Sequence, residues 1–157
     1  MMKMILGLHQ QFSRFDANLT EWGGSLLNLG LRFYVGSQFF KAGLIKVGDW
    51  TATLALFHDE YKVPVLPPEL AAWMGAGGEL LFPVLLFAGL FSRQAALGLL
   101  AVNVMAVISY PQLFSFDCPA AINDHLYWGL LLLVLAAFGP GRFSVDEVIE
   151  EKRVGGK

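Results

Sequence analysis

Long apolar runs separated by short polar connections dominate this chain. They cover roughly residues 26–47, 71–90, 94–110 and 126–138. A helix needs about 20 such residues to cross the hydrocarbon core of a bilayer. The last run is the shortest: counted from Asn123 to Gly139 it reaches about 17 residues, the lower limit for crossing. A tilted or buried setting accommodates it, and Gly139-Pro140-Gly141 then stops the helix. Trp22 precedes the first run, where its ring suits the headgroup level. The pattern predicts an all-α integral membrane protein, a four-helix bundle without an internal repeat.

Two shorter segments carry helical periodicity. Ile5, Leu8, Phe12, Phe15 and Leu19 recur at helical spacing with Lys3 and Arg14 between them, the pattern of an amphipathic helix lying on a membrane surface. Trp50, Leu54, Phe57 and Tyr61 form one apolar stripe in the first connection, and Asp49 stands where an N-cap belongs. This predicts a short surface helix that partly lids the bundle. The proline-rich stretch 62–68 should be extended, and Pro67-Pro68-Glu69 suits a helix start.

Composition agrees with spans joined by short loops. The 157 residues are 55% hydrophobic and 15% charged, with a mean hydropathy of +0.55, where a soluble domain has about 25% charged residues. No room is left for a separate soluble domain. The expected organisation is an amphipathic segment over 1–22, one membrane domain over 23–141 and a polar tail over 142–157. A net charge of −2 gives no reason to expect nucleic acid as a partner. One cysteine, Cys118, excludes an intrachain disulfide. A secretory signal is not expected, because the apolar run over residues 4–8 is too short.

Loop charges set the expected orientation. Lys3, Arg14, Arg93, Arg142, Lys152, Arg153 and Lys157 fall on one side; the other holds chiefly Lys46 and Lys62, with Lys41 near its edge. The positive-inside rule puts both termini and the Arg93 turn in the cytoplasm, in an inner (cytoplasmic) membrane. The loops 48–70 and 111–124 then face outward.

Ionisable and amide groups inside apolar runs are the candidates for chemistry, because lipid excludes them unless they face a bundle interior. They are Arg32, Glu79 and Asn103. Arg32, Gly36, Phe39, Gly43 and Lys46 lie within about 40° of one another on the first helix, and the two glycines would let another helix approach closely. Glu79 shares a face with Ala72, Gly75 and Ala76. Depth counting puts Glu79 roughly one turn from Arg32, so the two side chains could meet, either as a structural pair or as a proton or redox-substrate site. Asn103 reads first as a helix–helix hydrogen-bonding residue. His125, beside Asp124 at the outer mouth, is a candidate proton acceptor or quinone contact. His58-Asp59-Glu60 and Asp117-Cys118 supply metal-ligand types without a recognised spacing, so no metal site is expected. Paired intramembrane histidines for haem are absent from the sequence.

Several of these elements together resemble the DoxX family of small four-helix bacterial membrane proteins. They are Arg32-Phe33-Tyr34-Val35-Gly36 with Gly43 and Lys46, the stretch Tyr61–Pro68, Glu79 to Arg93, and Gly139-Pro140-Gly141-Arg142-Phe143-Ser144-Val145-Asp146. The resemblance marks Arg32, Lys46, Glu79 and Arg93 as family-pattern positions without assigned roles. It implies an accessory subunit of a quinone- or thiol-linked redox system, with quinone as the implied cofactor and other proteins of a membrane complex as partners. A homo-oligomer stays open. A non-catalytic anchor or assembly subunit is the alternative, and small-solute or metal transport comes third because four short spans leave little room for a polar path.

Overall fold

The computed structural model describes Ser13, Phe15, Asp16, residues 19–115 and residues 120–156. Ile5, Leu8 and Phe12, on which the N-terminal amphipathic helix rests, lie outside the described residues, as does Cys118. Six α-helices follow a short π-helical turn over Leu19–Gly23: α1 Gly24–Gly48, α2 Trp50–Asp59, α3 Pro68–Ala88, α4 Ser92–Ser109, α5 Ala120–Phe138 and α6 Val145–Gly155. A 3-10 turn, Pro111–Phe114, leads out of α4, and no strand occurs among the described residues. Among the described residues three helices, α3, α4 and α5, are long and apolar enough to cross a membrane. The longer α1 is more polar, with Arg32, Lys41 and Lys46 along it.

The four long helices run alternately up and down. Their shared core is Val35 and Phe39 of α1, Leu86 of α3, Leu99 of α4, and Leu132 and Leu135 of α5. Lipid-level faces keep large apolar groups outward, among them Ile45, Trp73, Leu81, Leu97 and Leu130. Glycine lets α1 and α3 approach closely: a Cβ on Gly36 would lie 2.7 Å from the Phe87 ring, and one on Gly43 would lie 2.9 Å from Leu80. The small-residue strip on α3 is likewise inside, with Ala72 and Ala76 buried.

Helix α2 forms as its apolar stripe requires. Asp49 accepts a hydrogen bond from the Ala52 amide at 2.9 Å, and Phe57 packs with Ala71 and Ala72 of α3 beneath Trp50, Leu54 and Tyr61. Pro68 sits in the first turn of α3. The fourth long helix starts earlier than its apolar run, at Ala120, so Asn123, Asp124 and His125 are helical. The polar tail holds α6, whose N-cap Ser144 accepts from the Glu147 amide at 3.1 Å.

One end of the bundle is closed by the segment after α5. Asp146 accepts from the Phe91 and Ser92 amides at 2.8 and 2.9 Å, capping α4 from a distant part of the chain. Arg93 donates to the Ala136 and Ala137 carbonyls at 2.7 and 2.6 Å, placing a cation at the negative end of α5. Asn28 donates to the Gly139 carbonyl at 2.6 Å. The guanidinium of Arg32, fully buried, donates to the Phe143 carbonyl.

Candidate functional site

The opposite end of the bundle is not filled. A cavity of about 780 Å³ lies under α2 and the loop after it, among α1, α3, α4 and α5. Most of its wall is apolar, including Phe39, Phe57, Met74, Phe82, Met105 and Trp128. That is the composition and size of a pocket for a small lipophilic molecule, whose orientation a few polar groups set. Two polar pairs serve it: Lys46, Glu79 and His125 stand on the wall, and Asn103 lies behind His125.

Lys46 of α1 and Glu79 of α3 make the first. Lys46 Nζ lies 2.8 Å from Glu79 Oε1 and 2.6 Å from Oε2, with the two side chains 20% and 10% exposed. The last turn of α1 is also held by the lid: Thr53 donates to the Lys46 carbonyl at 2.9 Å. Pro83 lies one turn beyond Glu79 inside α3. Lacking an N–H, it frees the Glu79 carbonyl from the helical ladder.

Glu79 therefore does not meet Arg32. Its Cβ is packed beside Gly43, 3.1 Å from where a glycine Cβ would stand. The stretch from Arg32 to Gly43 spans about 16 Å at 1.5 Å per residue. Depth counting failed because the glycine-mediated contact, not the nominal start of each span, sets how α1 and α3 register. Arg32 belongs to the closed end, and its partner there is a backbone carbonyl.

Asn103 and His125 make the second pair, which sequence reading treated separately. Asn103 Nδ2 donates to the His125 carbonyl at 2.9 Å, and Asn103 Oδ1 lies 2.7 Å from His125 Nδ1. Gly129, one turn on from His125, leaves room for the amide. The His125 ring stands edge-on to Trp128, with centroids 5.1 Å apart. His125 becomes an inward group because α5 begins at Ala120 rather than at its apolar run.

Tyr61 and Tyr110 close the rim, their rings 5.3 Å apart and edge-on. The loop is pinned beneath them by the Lys62 amide, which donates to the Ser109 carbonyl at 2.7 Å. Burial, then the neighbouring Tyr110, Glu79 and Glu60, push the Tyr61 phenol above its ordinary range, so it stays a hydrogen-bond donor. His58 is elsewhere, exposed and 2.9 Å from Glu69. Arg93 is structural at the closed end, as described above.

A model of the DoxX family matches residues 27–112, from α1 into the 3-10 turn after α4. The match takes in Arg32, Lys46, Glu79 and Asn103 and stops before α5 and His125. The chain is also similar to an uncharacterized protein of Haemophilus influenzae, 28% identical over 141 residues, which are 87% of this chain and 91% of the relative. No solved structure matches.

Proposed function

Since this chain belongs to the DoxX family, we propose that it is a four-span bacterial inner-membrane protein serving a quinone-linked redox system as an accessory subunit. In this reading α1 is the fourth span, both termini and the closed end face the cytoplasm, and the cavity opens toward the outer side. Loop charges support the orientation. The cavity carries the functional reading: about 780 Å³ of mostly apolar space with Lys46, Glu79 and His125 on its wall, the last held from behind by Asn103. A ring with oxygen substituents and an apolar tail fits that description. The electron-transfer groups would belong to a partner protein.

The test is direct. Protein purified in native-lipid nanodiscs should release quinone on solvent extraction, and should bind added decylubiquinone with an affinity that falls in Met105→Trp, which fills the space. A preparation with no extractable quinone and no binding of the analogue overturns the reading.

A non-catalytic anchor is the second reading. What favours it is that Lys46 and Glu79 neutralise each other, and Arg32 is used by the closed end. The double variant Lys46→Met/Glu79→Leu separates the two. Full abundance with normal complex assembly and an unchanged cellular phenotype fits the anchor; full abundance with lost quinone binding fits the redox role.

A further inference from the structure

Asn103 and His125 fix each other's hydrogen-bonding roles, and this decides what the histidine can offer a ligand. The His125 carbonyl can only accept, so the Asn103 atom 2.9 Å from it must be the amide nitrogen. The other amide atom, 2.7 Å from His125 Nδ1, is then the oxygen. An oxygen at that distance requires a proton on Nδ1. Neutral His125 is therefore the Nδ1–H tautomer, and its Nε2 carries a lone pair. Asn103 is 4% exposed, so water does not compete freely for the amide, and the Trp128 edge contact limits rotation of the ring.

Resting on the reading of the cavity as a quinone-type site, we propose that His125 Nε2 accepts a hydrogen bond from a ring hydroxyl, so the cavity prefers the reduced, dihydroxy form of its ligand. A carbonyl oxygen in the same place would set lone pair against lone pair. A hydroxyl supplies the proton that both oxygen and nitrogen need. Lys46, two of whose protons face Glu79, does not discriminate, because an ammonium donates to the oxygen of either form. Asn103 acts only through the imidazole and is a positioning residue.

Decylubiquinol and decylubiquinone, titrated under anaerobic conditions into the full chain in phosphatidylethanolamine–phosphatidylglycerol nanodiscs, test this. The quinol should bind on the order of tenfold more tightly, the value of one well-made hydrogen bond. In His125→Phe the preference for the quinol should fall several-fold. Asn103→Leu should lower the preference as well. Nitrogen-15 spectra of histidine-labelled wild type, assigned against His125→Phe, need no folded Asn103 variant and should show Nδ1 protonated. Equal binding of both forms by the wild type, or a neutral ring protonated at Nε2, overturns the inference and leaves the cavity reading standing. Binding of neither form ends both.

Discussion

Lys46 Nζ bridges both carboxylate oxygens of Glu79, at 2.8 and 2.6 Å, so a cation of α1 and an anion of α3 neutralise each other beside an open cavity. Each charge is tolerable there only because of the other. Removing one partner should therefore cost more than removing both. Glu79→Gln and Lys46→Met are each expected to lose about 2–3 kcal/mol, while Lys46→Met/Glu79→Leu should return to within about 1 kcal/mol of wild type. Unfolding by dodecyl sulfate in mixed micelles, followed by tryptophan fluorescence, measures all three. Additive losses would show that the pair is not coupled.

Asp146 holds the start of α4 by two backbone amides, and the residues before it carry the chain back across the closed end. Asp146→Ala should cost about 1–2 kcal/mol. It should also free the segment around Arg142, whose side chain otherwise pairs with Glu21 at 2.9 Å. Limited trypsin digestion is expected to cut the variant at Arg142 several times faster than wild type. Equal rates would mean that the cap does not hold the segment.

Glycines at two positions should respond in opposite ways to the same change. Gly89 has φ +68°, and a Cβ there would collide with the Arg32 guanidinium and lie 2.8 Å from the Ser144 backbone. Gly30, inside α1, has open space around it. Gly89→Ala is expected to lose more than about 2 kcal/mol, and Gly30→Ala to gain up to about 1 kcal/mol. The mixed-micelle assay ranks them. A harmless Gly89→Ala would refute the tight closure of that end.

Tyr61 should ionise at higher pH than an ordinary tyrosine, because burial and nearby acidic groups oppose the phenolate. In an absorbance titration, Tyr61→Phe should remove a component that titrates above the ordinary tyrosine range. Loss of an early component would place Tyr61 in solvent.

The helices were legible in the sequence because apolar runs and small-residue faces follow directly from what lipid and close helix contact demand. Gly36 and Gly43 announced the α1–α3 approach, and Asp49 announced the start of α2. The pairings were not legible. Which cation meets Glu79 depends on how far α1 slides along α3, and that is set by contacts such as Gly36 against Phe87, invisible to depth counting. His125 lies beyond the apolar run, among polar neighbours, yet the helix extends through them and turns it toward Asn103. The Asp146 cap joins segments more than fifty positions apart, and no local pattern signals such a bond.

The Arg32–Phe143 contact also has a bearing on biogenesis. Phe143 leaves the ribosome after all four long helices, so with α1 as the proposed fourth span the guanidinium would enter the apolar phase with its eventual acceptor still unmade. Nascent chains stalled before that point should be unstable in the bilayer and open to membrane proteases, and arrival of the segment after α5 then locks α1.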